Sequence, residues 1–218
     1  MLDYEVINSP QEADASVIWL HGLGADGHDF TPIVPHLNLK VPSVRFLFPH
    51  APMLAVTINN GYVMPAWYDI KHTNILAGED VEGIKRSQQA VHELIEAEHL
   101  KGIAYERIIL AGFSQGGAIV LYTGLRYPQK LGGVLALSTY APLTTSLASE
   151  VSTINKTMPI FMAHGDNDPI VPYEAGSQSR DLLEKLGYTV EWHEYPMAHS
   201  VCDQEIGAIG QWLNRVLA

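Results

Sequence analysis

Apolar positions fall into two alternating patterns along this chain. Short, nearly unbroken runs occupy residues 17–20, 44–48, 108–111, 134–137 and 160–163, and each gives way to Gly, Pro, His or Ser. Runs that are too short for helices and apolar at successive positions predict strands buried on both faces, with chemistry carried in the loops where they end. Residues 4–7 and 189–192 are more mixed and predict edge strands. Between the runs the spacing changes to the helical period. Residues 79–100 place Ile84, Val91, Leu94 and Ile95 near one face, behind an acidic start that suits the helix dipole. Residues 118–125, 174–186 and 205–217 predict three further helices. In the last, Ile206, Ile209, Leu213 and Val216 recur every three or four positions, and Lys185-Leu186-Gly187 reads as a glycine-capped helix end. This alternation predicts an α/β fold, a mostly parallel central sheet covered by helices on both faces.

No repeat, low-complexity tract or Pro/Ser-rich linker divides the chain, so residues 1–218 are expected to form a single domain. Two connections, 49–78 and 138–158, are longer than tight turns need, and long structured loops in a compact domain are usually functional. Apolar residues make up 47% and charged ones 17%, which suits a large buried sheet and not a disordered chain. The net charge of −11 repels phosphate backbones and anionic lipid surfaces, so nucleic acid is not an expected partner. The single cysteine, Cys202, offers neither an internal disulfide nor a zinc cluster and is expected to be a small buried residue. The first residues have no basic start or apolar run, and no stretch reaches the length of a membrane span, so a cytoplasmic enzyme is expected.

Candidate chemistry begins at Gly112-Phe113-Ser114-Gln115-Gly116-Gly117, a G-x-S-x-G pattern directly after a predicted strand and before a helical segment. A sharp strand-to-helix turn needs small residues on both sides of the serine, and it leaves the hydroxyl exposed beside free helix amides. The alternative is a glycine-rich turn with an incidental serine, and the strand-helix context argues against it. A serine hydroxyl is a weak nucleophile that requires a base oriented by a third group. Two later strand ends supply candidates in the order Ser, Asp, His. His164-Gly165-Asp166-Asn167-Asp168-Pro169 follows the run at 160–163, and Ala198-His199-Ser200 precedes the last helix. His199 is favoured over His193, which lies inside a strand and reads as structural. Asp166 and Asp168 compete for the acid; Asp166, directly after Gly165, suits a turn cap that accepts backbone amides.

His21-Gly22-Leu23-Gly24 closes the run at 17–20 with glycines that let backbone approach a substrate. Beside the serine turn, the amides of Leu23 and Gln115 are candidates for an oxyanion hole.

These motifs, with Phe48-Pro49-His50-Ala51-Pro52, Met64-Pro65-Ala66-Trp67-Tyr68-Asp69 and Tyr195-Pro196-Met197-Ala198-His199, together resemble the phospholipase/carboxylesterase family that includes the acyl-protein thioesterases. The resemblance spans nearly the whole chain and looks closest to the bacterial carboxylesterases of that group. It implies an α/β-hydrolase fold without a large cap domain. It places the nucleophile on Ser114, the acid on Asp168, the base on His199 and the oxyanion amides on Leu23 and Gln115, which decides between the two aspartates. It also implies short to medium acyl esters or thioesters, lysophospholipids or S-acylated proteins as substrates, frequent homodimers and no cofactor. Ala66, where relatives often carry serine, and Asn167 in the acid loop are departures that bear on substrate choice only.

The connection 49–78 is apolar, with Val63, Met64, Trp67, Tyr68, Ile75 and Leu76 between Gly61 and Gly78, and it predicts a flexible flap beside the serine. Trp67 and Leu76 are the favoured acyl-contacting residues. Met64 and Tyr68 read equally well as core, and Leu23 borders the same pocket. Two rivals remain. A metal-dependent hydrolase built on His21, His164, Asp166 and Asp168 lacks ligand spacing such as H-x-x-x-H. A binding protein that has lost turnover is opposed by the complete Ser, Asp, His order.

Overall fold

In the computed structural model, which describes residues 2–41, 43–75 and 77–218, the apolar runs become strands. There are nine among the described residues: β1 (Tyr4–Ile7), β2 (Ala15–Leu20), β3 (Val44–Pro49), β4 (Met53–Val56), β5 (Tyr62–Pro65), β6 (Ile108–Phe113), β7 (Gly133–Leu137), β8 (Ile160–Gly165) and β9 (Val190–Tyr195). Seven form one sheet in the order β1-β3-β2-β6-β7-β8-β9, while β4 and β5 pair separately as an antiparallel hairpin. Within the large sheet only β1 runs antiparallel to its neighbour; the other pairings are parallel.

Continuous apolar runs are needed because alternate residues feed two separate cores. Ile18, Leu20, Leu110, Val134, Ala136, Ile160 and Met162 enter one core, with Ile84, Leu94 and Ile95 of α1 (Val81–Leu100), Ile119 and Leu121 of α2 (Gln115–Gly124) and Leu183 of α4 (Tyr173–Lys185). Val17, Trp19, Ile109, Ala111, Leu135, Leu137, Phe161 and Ala163 enter the other, closed by Ile209, Trp212 and Leu213 of α5 (Asp203–Val216). The short helix α3 (Thr144–Glu150) lies between β7 and β8. The layers are therefore those of an α/β-hydrolase, with helices on both faces of the sheet.

The helix ends follow their sequence signals. Asp80 caps α1 by accepting the Gly83 amide at 3.2 Å, as the acidic start of that segment suggests. After α4, Gly187 sits at φ +88°, its amide bonds to Glu184 O and the Tyr188 amide to Leu183 O, which is the glycine-terminated end expected there.

Several expectations need correction. The connection 49–78 is not an irregular flap, because its first half is the β4–β5 hairpin, closed through Asn60 at φ 55° and Gly61 at φ 75°. Trp67 and Tyr68 are core residues, 1% and 2% exposed, because their rings fill the space between α1 and the sheet; neither offers the open apolar surface of a flap. Met64 is half-buried and its sulfur lies near Gly24. Leu76 lies outside the described residues. The connection 138–158 contains α3 and a 3-10 turn at Ile154–Thr157. Cys202 is half-buried at the N-terminal boundary of α5, where its neighbours leave it partly open. No described helix is long and apolar enough to cross a membrane.

Candidate active site

Strand β6 and helix α2 meet without a loop, and Ser114 is the joint. Its backbone is held at φ 53°, ψ −119°, a region that L side chains avoid and that costs about 1–3 kcal/mol. The turn is possible only because of its glycines. A Cβ on Gly112 would lie 2.5 Å from the Gly116 backbone, and one on Gly116 would lie 2.5 Å from the carbonyl oxygens of Leu20 and His21. The strained residue is fixed from both sides. Its amide donates to Leu137 O of β7 at 2.9 Å, and its carbonyl accepts the Thr139 hydroxyl at 2.6 Å and the Ala118 amide at 3.1 Å.

The carboxyl ends of β8 and β9 lie beside this joint. Their following loops are zipped together, with the Asp166 amide on Tyr195 O at 3.0 Å and the Asn167 amide on Met197 O at 3.2 Å. That pairing carries Asp168 against His199. His199 Nδ1 lies 2.6 Å from Asp168 Oδ2, and the other carboxylate oxygen accepts the amides of Ile170 and Val171 at 2.8 and 3.0 Å. The Asp168 side chain is fully buried, so these donors replace the water it has lost. The imidazole of His199 packs on Phe113, the residue before Ser114, with ring centroids 4.7 Å apart. The bonded Asp168–His199 pair thus packs on the residue that precedes Ser114.

The turn-capping role expected of Asp166 belongs to Asp168. Asp166 is exposed and accepts only the neighbouring Asn167 side-chain amide at 2.6 Å, because the turn points it outward while Asp168 folds back over the amides that follow. His193 is half-buried on β9, stacked on Phe161 and 3.1 Å from Glu191, which is a structural setting.

The loop after β2 packs on the same joint. Gly22 lies so near Ser114 that a Cβ there would be 3.5 Å from the serine Cβ, and the Gly24 amide donates to Pro65 O at 2.9 Å. His21 holds the loop through its buried ring: Nδ1 lies 2.7 Å from Gly22 O and Nε2 accepts the Ala51 amide at 3.1 Å. Because Nε2 accepts, the proton sits on Nδ1, and burial pushes the ring's pKa down, which keeps it neutral. Gln115 opens α2, where the first backbone amides have no intrahelical acceptor.

Four residues brace the site in roles that their sequence motifs do not announce. The Gln115 side chain accepts the Trp67 amide at 2.8 Å and donates to Tyr68 O at 2.7 Å, while the Trp67 indole donates to His21 O at 2.9 Å. The Ser87 hydroxyl, from α1, completes the set by donating to Trp67 O. His164, at the end of β8, binds Val171 O at 2.9 Å and lies 3.5 Å from Asp168 Oδ2, bracing the acid loop from beneath. No local motif marks the contacts of Gln115, Trp67 and Ser87, since each joins elements distant in sequence.

A cluster outside this site brings possible metal donors together: Glu5, His28 and His50 have ligand atoms within 4.8 Å of one another. His50 Nδ1 accepts the Gly27 amide at 3.2 Å, so in the neutral ring Nε2 carries the proton and faces Glu5 at 3.4 Å. A metal-ligating histidine has the reverse arrangement, with its second nitrogen donating. The cluster is a hydrogen-bonded clasp between β1 and two loops.

The sheet order, the strained serine at a strand-to-helix joint and the hydrogen-bonded Asp and His on later strand ends define the class: an α/β-hydrolase. The phospholipase/carboxylesterase family model matches residues 2–217, and the chain belongs to that family. Acyl-protein thioesterase 1 of Gibberella zeae is 41% identical over 222 residues, spanning 97% of this chain and 94% of that protein. The crystal structure of Arabidopsis thaliana SOBER1 superposes with a TM-score of 0.88 at 35% identity, covering 94% of this chain and 99% of that one. Zea mays acyl-protein thioesterase 2 superposes with a TM-score of 0.89 at 26% identity over the full length of both chains. The chain is a serine ester hydrolase of this family.

Proposed function

We propose that the protein hydrolyses short to medium acyl esters and thioesters through an acyl-enzyme on Ser114, with His199 as general base and Asp168 as the acid that orients it. The observation that carries this reading is the Asp168–His199 hydrogen bond of 2.6 Å beside a serine held at φ 53°. An ionised Asp168 keeps the His199 proton on Nδ1, which leaves Nε2 to take the proton of Ser114 Oγ as that oxygen attacks the acyl carbon. The tetrahedral oxygen is received by the backbone amides of Leu23, on the loop after β2, and Gln115, at the start of α2. Collapse breaks the bond to the alcohol or thiol, which leaves with the proton returned from His199. Water then attacks the acyl-enzyme by the same route and releases the carboxylic acid.

The acyl donor is read as an S-acylated protein, supported by likeness to relatives named acyl-protein thioesterases. A lysophospholipid is the second reading, supported by the family to which the chain belongs. Both pass through the same kind of acyl-enzyme on the serine, so the leaving group decides between them. The test compares kcat/KM for an S-octanoyl cysteine peptide, a lysophosphatidylcholine and a simple octanoyl ester. Preference for the peptide thioester by tenfold or more supports the first reading, and preference for the lysolipid replaces it with the second.

A further inference from the structure

Against Trp67 lies an apolar cavity of about 210 Å³ whose lining includes none of Ser114, Asp168 and His199. Its walls are Leu2, Pro52, Leu54 and Ala90, its floor is Trp67, and Arg86 of α1 stands at its edge. The one hydroxyl in the lining, Ser87, is already committed to Trp67 O, so the interior offers no polar group to an incoming molecule. Arg86 is different. Its side chain is 67% exposed, and it approaches Asp80 Oδ2 only to 4.0 Å, beyond hydrogen-bonding distance. Asp80 itself accepts the amides of Asp69 and Gly83. A guanidinium fork beside an apolar cavity is complementary to a carboxylate on a hydrocarbon chain. The cavity has room for roughly seven groups of water size at about 30 Å³ each, which is the bulk of a medium-length alkyl chain.

We propose that this cavity is a second, non-catalytic site for a medium-chain fatty acid anion, with the chain between Leu2, Pro52, Leu54 and Ala90 and the carboxylate on Arg86. The floor of the site is also a support of the catalytic one: Trp67 is bonded through its amide to Gln115 and through its indole to His21 O. The site therefore reports to both segments that carry the proposed oxyanion amides. Its ligand is the chemical class of the acid that the proposed hydrolysis releases, but binding there is independent of whether Ser114 is the nucleophile.

The test is calorimetric titration of the full chain with hexanoate, octanoate and octanol, alongside Ala90→Phe, which fills the cavity, and Arg86→Glu, which reverses its charge. Melting temperature and ester turnover of each variant establish that the fold and the catalytic centre are intact. The expected result is one octanoate per chain, about fourfold tighter for each methylene added from hexanoate to octanoate. Octanol and Arg86→Glu should each weaken binding by roughly tenfold, the size of a charge-assisted hydrogen bond of about 1.5 kcal/mol. Ala90→Phe should remove it. Octanoate binding that survives Ala90→Phe places the ligand elsewhere, and octanol binding as tightly as octanoate removes the role of Arg86. Absence of saturable binding to the wild-type chain overturns the proposal outright. If Ala90→Phe fails to fold, Arg86→Glu and the octanol comparison still decide it.

Discussion

His199 presents Nδ1 to Asp168 Oδ2 across 2.6 Å, and that single bond decides which ring nitrogen is left facing the substrate side. The consequence is a sharp contrast between two aspartates two residues apart. Asp168→Asn turns an amide toward Nδ1, favours the wrong imidazole tautomer and should lower kcat by about 10⁴. Asp166→Asn alters an exposed group and should change stability by no more than about 0.5 kcal/mol and leave kcat near wild type. Steady-state kinetics and melting temperatures of both variants check this, and reversal of the two results exchanges the assignments.

Gln115 combines the proposed oxyanion amide with a side chain that holds the Trp67–Tyr68 segment. Gln115→Ala leaves the backbone amide in place but strands a buried donor and a buried acceptor, each costing about 1–3 kcal/mol. Thermal or urea unfolding should show this loss, accompanied by a fall in kcat. Trp67→Ala should cost about 3–5 kcal/mol as a core deletion. Because Trp67 is buried and acts through Gln115 and His21, its loss should reduce kcat/KM by a similar factor for acetyl and octanoyl esters. A penalty confined to octanoyl esters would instead place the indole in the acyl pocket.

Glu205 sits in the first turn of α5, fully buried, and burial pushes its pKa up to about 8 from the ordinary 4.5. Between those values the folded chain holds a proton that the unfolded chain has lost. The stabilisation is therefore complete below about pH 4.5 and fades as pH rises through about 8. Unfolding free energy should decline over that window by an amount on the order of a few kcal/mol, reduced by the helix dipole, which favours the charged form. Glu205→Gln should flatten the decline. Melting temperatures from pH 5 to 9 for both proteins check the slope, and identical curves would show that Glu205 does not titrate there.

Much of this arrangement could be read from residue order alone, for a physical reason. A parallel sheet buried on both faces needs apolar residues at every position, so runs such as 108–111 and 160–163 declare themselves. The serine joint is equally legible, since only glycine fits where Gly112 and Gly116 meet backbone at 2.5 Å. Asp168 was harder: both aspartates follow the same strand, and the choice depends on which one turns inward. The β4–β5 hairpin had a signal in Asn60-Gly61, which takes two positive φ angles, but these residues end a five-residue loop with a 3-10 turn and the flanking strands are short and largely exposed. Trp67 misleads because a large ring in a connecting segment suggests a flap, whereas its bonds to Gln115, His21 and Ser87 come from three separate elements. Contacts of that kind have no period in the sequence.

The central claim is that Ser114 is the activated nucleophile, and covalent capture tests it most directly. Wild-type protein and Ser114→Ala are treated with a fluorophosphonate, digested, and the modified peptide is identified by mass. The expected result is one adduct on the peptide containing Ser114 in the wild type and none in the variant. Ester turnover in the variant should fall by several orders of magnitude, to the roughly 10³–10⁴-fold over water that the oxyanion donors and binding supply alone. An adduct on another residue, or wild-type turnover in Ser114→Ala, contradicts the account.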